Sequence, residues 1–199
     1  MVKTIAFLGS DGSGKSTVID TLLESDELNY NKIEYFHLKP IVKKSSSESV
    51  VVDDPHEKPV YSVLKSYMKL LFFIYQYNKG WMKNIKPLSS ENTLVIFDRY
   101  YDDLLVDYRR YRYGGSMALA KFARKFIPKP ELYFILVTDA EIIYKRKQEV
   151  EFSELERQIK GYSDLADNKR YFLIDVNRTP VEIVEEIVSI MKEYSHGDV

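Results

Sequence analysis

Five short runs of strand-like residues alternate along the chain with stretches in which apolar residues recur at helical spacing. The runs are Thr4–Leu8, Lys32–Leu38, Thr93–Asp98, Glu131–Thr138 and Tyr171–Asp175. The helical stretches are Val18–Glu24, Val60–Trp81, Ser116–Phe126, Asp139–Lys160 and Pro180–Met191. Parallel strands buried on both faces are short and apolar, and right-handed crossovers connect them through helices. The pattern therefore predicts an α/β fold, a three-layer sandwich with a five-stranded parallel sheet covered by helices on both faces.

The loop after the first run carries a phosphate-binding pattern. Gly9, Gly14, Lys15 and Ser16 occupy the fixed positions of G-x-x-x-x-G-K-[ST], with a strand before the pattern and a helix after it. Glycines let backbone amides point at a phosphate, Lys15 can reach the outer phosphates, and the Ser16 hydroxyl can bind Mg²⁺. The expected fold is thus that of the P-loop NTPases. ATP is expected on the residues of this loop, which are Gly9, Ser10, Asp11, Gly12, Ser13, Gly14, Lys15, Ser16 and Thr17.

A carboxylate and a guanidinium close the third run. Asp98 ends an apolar strand in the form of a Walker B element, so it is expected beside the P-loop, where it would orient Mg²⁺ or its water shell. Arg99 follows immediately and offers a planar fork suited to phosphate oxygens. We expect both residues to face the P-loop at the carboxyl ends of the strands.

Composition narrows the class of protein. A chain of 199 residues that is 45% hydrophobic can build one substantial core, so a single domain over residues 1–199 is expected. The net charge of −1 gives no basic footprint for a nucleic acid polymer. There is no cysteine and the three histidines are scattered, which excludes thiolate metal sites and gives no histidine metal motif. The apolar segment Met68–Tyr75 is too short for a bilayer, and no secretory leader precedes the first strand, so a cytoplasmic enzyme is expected.

Two polar segments have more than one interpretation. Lys43–Pro59 combines a serine run, charges and prolines, and it predicts a long exposed loop that is either a binding loop or disordered. Tyr108–Tyr113 interleaves three arginines with three tyrosines. Such a cluster can bind an anionic acceptor or form an ordinary solvated face, and we favour the solvated face for most of it.

Three segments together resemble the thymidylate kinase family of nucleoside monophosphate kinases. They are Gly9–Thr17, Val95–Tyr100, and Pro130–Val137 with the arginine-bearing helix after it. The chain has neither the late Asn-Lys-x-Asp element of GTPases nor the Ser-Gly-Gly signature of ABC-type ATPases. The resemblance implies transfer of the terminal phosphate of ATP to dTMP with Mg²⁺, and a homodimer. Two alternatives stay open: a kinase of another small acceptor, such as another nucleotide or a sugar, and an ATP-binding module without a dedicated acceptor.

The resemblance also implies roles for single residues. Asp11 matches the carboxylate that holds the acceptor's sugar hydroxyl. Arg99 matches the arginine that binds the acceptor's phosphate, and Phe72 matches the phenylalanine that stacks on thymine. Because Gly12 rather than an arginine follows Asp11, a catalytic cation is expected from a lid near residues 145–160. Arg146 is the first choice there and Arg157 the second. The expected catalytic set is Lys15, Asp98, Arg99 and Arg146.

Two further acceptor contacts are expected where the chain departs from the family. Lys39 lies in Leu38-Lys39-Pro40, which replaces a Glu-Pro-Gly stretch, and Gln76 stands where an arginine contacts the thymine carbonyl. Leu8 replaces an acidic residue before the first P-loop glycine, and Asp102–Leu105 replaces the polar motif after Asp-Arg-Tyr. We therefore expect the part of the site that binds ATP to keep the residues of the family, and the part that binds the acceptor to differ from it.

Overall fold

The computed structural model of the chain describes residues 3–41 and 58–197. Its strands are β1 (Thr4–Leu8), β2 (Lys32–His37), β3 (Thr93–Asp98), β4 (Leu132–Val137) and β5 (Tyr171–Asp175). Its α-helices are α1 (Lys15–Leu23), α2 (Val63–Gly80), α3 (Asp102–Val106), α4 (Met117–Ala123), α5 (Ala140–Arg146), α6 (Phe152–Ser163) and α7 (Pro180–His196). All five predicted strands are confirmed to within one residue at either end. The loop predicted over Lys43–Pro59 lies outside the described residues except for its last two positions.

The helices differ from the expected stretches at their ends and in one addition, because the short helix α3 was not predicted. A π-helical turn (Trp81–Ile85) and a 3-10 turn (Lys86–Ser90) follow α2, so this helical segment is longer than predicted. Ser116 does occupy the N-cap position of α4, but its side chain makes no capping hydrogen bond, and that part of the prediction is wrong. Thr179 instead provides a complete capping box for α7, because it exchanges hydrogen bonds with Glu182.

The five strands form one parallel sheet in the order β2-β3-β1-β4-β5. The first strand of the chain therefore lies in the centre, with β3 on one side and β4 on the other. Phe7 is in register with Asp98, and the Arg99 N–H donates to the Phe7 carbonyl at 2.9 Å. This pairing places the loop after β1 and the Asp98-Arg99 pair at the same edge of the sheet.

Helices cover both faces of the sheet, as the apolar pattern predicts. Along β1, Ile5 and Phe7 pack on the face of α1 and α7, while Ala6 and Leu8 pack on the face of α2, α3, α4 and α6. Each face forms its own cluster of buried side chains. The three-layer sandwich is confirmed. Among the described residues, no helix has the length and apolar character needed to cross a membrane.

The core assignment can be tested at Phe134 on β4. Its side chain is completely buried, and its ring lies between those of Phe7 and Phe172. We expect Phe134→Ala to lower the free energy of unfolding by about 3–5 kcal/mol, because it leaves a cavity between sheet and helices. Urea denaturation measures the change. The control Phe126→Ala removes a half-exposed ring and should cost less than about 1 kcal/mol; equal losses in the two variants would contradict the assignment.

Candidate active site

A cleft opens at the carboxyl edge of the sheet, where ligands bind in open α/β folds. Its volume is about 610 Å³, and residues 11–18 form its floor. The lining contains two carboxylates, Asp11 and Asp98. The basic side chains that line it are Lys15, Arg99, Arg110, Arg146, Lys147 and Arg178. This excess of positive charge suits a ligand with several phosphates.

The floor of the cleft needs glycine at two positions. Gly9 has a φ of 144°, and a Cβ there would lie 2.6 Å from the Leu136 carbonyl oxygen. Gly12 has a φ of 80°, and a Cβ there would lie 3.1 Å from the Lys147 Cβ. Side chains at either position would be strained and would push the loop from β4 or from the end of α5. The P-loop pattern found in the sequence thus forms a tight loop pressed against its neighbours.

Lys15 lies over this loop and carries a buried charge. Its Nζ donates to the carbonyl oxygens of Gly9 at 2.9 Å and Ser10 at 2.7 Å. Burial, together with the nearby charge of Arg99, lowers the pKa of Lys15 to about 7. A phosphate group bound in the loop would supply the opposite charge that the ammonium group needs.

Asp98 presents one carboxylate oxygen that has no hydrogen-bond partner. Its Oδ2 accepts from the Tyr35 hydroxyl at 2.9 Å and lies 3.4 Å from His37 Nδ1, whereas Oδ1 is buried and unpaired. Burial by itself would raise the pKa of Asp98, but the contacts with His37 and Tyr35 and the charge of Lys15 outweigh it and lower the pKa. Asp98 is therefore ionised, with Oδ2 held by hydrogen bonds and Oδ1 able to bind a ligand.

These oxygens fit a magnesium ion that shares its ligands with a nucleotide. Mg²⁺ prefers oxygen ligands and is commonly held by one or two protein groups, waters and substrate phosphates. Asp98 Oδ1 and the exposed Ser16 hydroxyl at the start of α1 are suitable groups. The described part of the chain holds no cluster of three or more acidic, histidine or cysteine residues that would bind a metal by itself.

Arg99 is held in place from several directions. It adopts a left-handed backbone conformation, with a φ of 68°, directly after β3. Its guanidinium donates to Asp103 Oδ2 at 2.7 Å and to the Gly9 carbonyl oxygen at 3.3 Å, and it also pairs with Asp11. Burial opposes the charge, but Asp103 more than compensates and raises the pKa of Arg99. The predicted pair Asp98-Arg99 and the P-loop therefore do meet in one cleft.

Arg110 is a site residue that sequence reasoning missed. Its guanidinium pairs with Asp11, so the expectation that the Tyr108–Tyr113 cluster is mostly a solvated face is wrong. Tyr111 and Tyr113 in the same cluster are buried in the core. One signal was present: Asp107 lies three residues before Arg110 and accepts from its Nε at 3.2 Å.

Of the two lid arginines, the structure brings only Arg146 to the cleft. Arg146 ends α5 and lines the cleft together with Lys147. Arg157, the second choice, is not among the residues that line it; it donates to the Val106 carbonyl oxygen at 2.9 Å and pairs with Glu154 on its own helix. A catalytic role for Arg146 stays a prediction.

The three other residues expected to contact the acceptor lie together but do not line this cleft. Lys39 donates to Gln76 Oε1 at 2.6 Å, and its Nζ lies 5.9 Å from the centre of the Phe72 ring. Phe72 is half exposed and lines a separate, open cavity along α2. Phe73 is in contact with Lys39 and Tyr111, and Tyr111 donates a hydrogen bond to Asp103, the partner of Arg99. Their contact with an acceptor stays a prediction.

The sheet order, the glycine loop between β1 and α1, and the carboxylate that closes β3 beside that loop define a P-loop NTPase fold. Comparison with a solved structure agrees. The crystal structure of thymidylate kinase from Ehrlichia chaffeensis superimposes with a TM-score of 0.61, covering 96% of this chain and 98% of that chain at 22% identity.

The family follows from comparison of sequences. The thymidylate kinase family model matches residues 7–187. A probable thymidylate kinase of Methanosarcina barkeri is 28% identical, and the match covers 96% of this chain and 97% of that protein. A thymidylate kinase of Kosmotoga olearia is 26% identical, and the match covers 97% of this chain and 99% of that protein. The chain belongs to the thymidylate kinase family, and the resemblance found in the sequence is confirmed.

The hydrogen bond from Tyr35 to Asp98 yields a testable prediction. Tyr35→Phe removes the donor to Asp98 Oδ2 with little change in shape, so the carboxylate should orient less well toward a metal. We expect the affinity for Mn²⁺ in the presence of ATP, measured by electron paramagnetic resonance, to fall about tenfold. Tyr75→Phe, on an exposed tyrosine of α2, is the control and should leave the affinity unchanged. An unaltered Mn²⁺ affinity in Tyr35→Phe would remove Tyr35 from the site.

Proposed function

We propose that this chain is an ATP- and Mg²⁺-dependent nucleoside monophosphate kinase that converts dTMP to dTDP in the cytoplasm. The observation that carries the proposal is the cleft in which the P-loop, Lys15 and the Asp98-Arg99 pair face one another in a member of the thymidylate kinase family. The relatives described above carry the name thymidylate kinase, which supports dTMP as the acceptor.

The donor side holds the triphosphate of ATP. Backbone amides of residues 11–16 and the ammonium of Lys15 bind its outer phosphates, and the N-terminus of α1 adds positive potential. Asp98 Oδ1 and the Ser16 hydroxyl would hold Mg²⁺, which would supply positive charge to neutralise the outer phosphates. Phosphoryl transfer requires in-line placement and charge neutralisation more than covalent help from the protein.

The acceptor side receives the monophosphate. An oxygen of the dTMP phosphate attacks the γ-phosphorus of ATP, the bond from that phosphorus to the β-phosphate oxygen breaks, and ADP leaves. Arg99 binds the acceptor's phosphate and Asp11 its sugar hydroxyl. Phe72 and Gln76 contact the base, and Lys39 beside them is a further acceptor contact. Arg146, which ends α5 and lines the cleft, provides positive charge at the transferred group.

An acceptor panel tests this function. ADP release is followed with ATP and Mg²⁺ in the presence of dTMP, other nucleoside monophosphates, thymidine, simple sugars or no acceptor. We expect release to depend on dTMP. Release that requires a different nucleotide or an unphosphorylated acceptor would assign the chain to another kinase activity, and release that ignores every acceptor would make it an ATP hydrolase or sensor.

Lys15→Ala should abolish most of this activity. The substitution removes a preorganised positive charge at the outer phosphates, so kcat is expected to fall by at least about two orders of magnitude. The coupled ADP assay measures it, with circular dichroism to confirm folding. Lys121→Ala, on an exposed lysine of α4, is the matched control and should keep normal turnover. Near-normal turnover in folded Lys15→Ala would refute the site.

We also propose that two copies of the chain associate through α2. Leu64, Met68, Leu71 and Tyr75 form an exposed apolar stripe on this helix, at intervals of four, three and four residues. Contiguous exposed apolar residues commonly mark interaction surfaces. The same helix face on two copies of the chain can pair with itself about a two-fold axis. The homodimer implied by the sequence resemblance has a suitable surface here.

A charge in the stripe should separate the copies. Leu71→Asp places a carboxylate in the middle of the proposed interface, where its burial would be costly. Sedimentation velocity is expected to show a dimer for the unmodified chain and a monomer for Leu71→Asp. Leu119→Asp, on the partly exposed face of α4, should remain dimeric. A monomeric unmodified chain, or dissociation by both substitutions, would contradict the proposed surface.

A further inference from the structure

Asp11, in the P-loop, lies between two arginines. One of its carboxylate oxygens pairs with Arg99 and the other with Arg110. Arg99 follows β3, and Arg110 lies in the connection between α3 and α4, so the two guanidinium groups reach Asp11 from different parts of the chain. Both arginines and Asp11 line the cleft.

Each arginine is also held by carboxylates that are not part of the cleft lining: Asp103 for Arg99, and Asp107 and Glu149 for Arg110. Asp103 is completely buried and accepts from Arg99 at 2.7 Å, from Tyr111 at 3.0 Å and from Tyr162 at 2.5 Å. Asp107 accepts from the Arg110 Nε at 3.2 Å. The guanidinium groups would therefore keep their places if Asp11 moved away.

Of the carboxylates that pair with these arginines, Asp11 is the one that lines the cleft and can be displaced. Its side chain is 21% exposed, as is that of Arg110, against 5% for Arg99 and 0% for Asp103. It is followed by Gly12 in a loop, whereas Asp103 lies in a helix. Its two oxygens present to the arginines the same paired acceptors that a phosphate monoester presents.

We propose that the Asp11 carboxylate occupies the place that the acceptor's phosphate takes, and that Arg110 is the second arginine of this phosphate site. On binding, the phosphate replaces Asp11 between Arg99 and Arg110, and Asp11 becomes free to accept a hydrogen bond from the acceptor's sugar hydroxyl. The inference rests on the proposed function and adds to it a specificity-determining residue, since a nucleoside without phosphate cannot displace Asp11 from the two charges.

The neighbouring arginines provide a matched control. Arg109 is exposed and does not line the cleft. Arg112 donates to the Pro59 carbonyl oxygen at 2.9 Å and stacks on the Tyr61 ring. Among the three arginines of this cluster, the geometry thus assigns the phosphate to Arg110.

The experiment compares equilibrium binding of dTMP and of thymidine by isothermal titration calorimetry, in the absence of ATP. The ratio of the thymidine Kd to the dTMP Kd isolates the contribution of the phosphate. We expect Arg110→Gln to lower this ratio about tenfold or more, because a charge-assisted hydrogen bond to the phosphate is lost. Arg109→Gln should leave it unchanged. When the same ratio is measured with 3′-deoxythymidine and its 5′-monophosphate, which lack the sugar hydroxyl that Asp11 would bind, Asp11→Asn should raise it, because the internal competitor is weakened.

Several outcomes would overturn the inference. The first is that Arg110→Gln weakens the binding of thymidine and dTMP equally. The second is that Arg109→Gln lowers the ratio as much as Arg110→Gln does. The third is that Asp11→Asn lowers the ratio measured with the 3′-deoxy compounds. Thermal unfolding establishes that Arg110→Gln is folded, and Arg110→Lys, which keeps the charge but not the fork, should recover part of the ratio. An unmodified chain that binds dTMP no better than thymidine would refute the phosphate site together with the proposed acceptor. A normal ratio that Arg110→Gln leaves intact would refute only the role of Arg110.

Discussion

The parallel pairing of β1 with β3 is the constraint on which the candidate active site depends. Phe7 is in register with Asp98, and the backbone N–H of Arg99, directly after β3, donates to the Phe7 carbonyl oxygen. Both strands point the same way, so the glycine loop and the Asp98-Arg99 pair leave the sheet at one edge. A register shift of one residue would exchange the faces of the β3 side chains and remove Asp98 from the loop.

Buried charge is the second feature that shapes this site. Asp103, Arg99 and Lys15 are all buried, and ions removed from water are tolerated only when partners surround them. Asp103 has three donors and Arg99 has two carboxylates, so both are compensated within the protein. Lys15 has carbonyl oxygens and the Ser13 hydroxyl instead of a paired carboxylate, and burial lowers its pKa. The positive charge left uncompensated thus lies at the loop where a phosphate would bind.

The residues predicted or proposed to bind the acceptor form two groups joined through the aromatic core. Lys39 and Gln76 hydrogen-bond to each other beside Phe72, while Asp11 and the two arginines lie in the cleft. Phe73 packs edge-to-face on Tyr111, and the hydroxyl of Tyr111 donates to Asp103 behind Arg99. Ring contacts and one buried carboxylate therefore join α2 to Arg99.

The sequence by itself determined the strands, the class of fold, the P-loop and the Asp98-Arg99 pair. Each of these depends on local patterns: apolar runs, glycines at fixed spacing, and a carboxylate at a strand end. Only the tertiary structure decided the partners of Asp11, the contacts of Tyr35 and His37 with Asp98, and the choice of Arg146 over Arg157 at the cleft. These contacts join residues far apart in the chain, and a polar side chain on a loop or strand carries no local signal of which distant group it faces. Arg109, Arg110 and Arg112 look alike in sequence, and the packing of Tyr111 and Tyr113 into the core determines which of them reaches the P-loop.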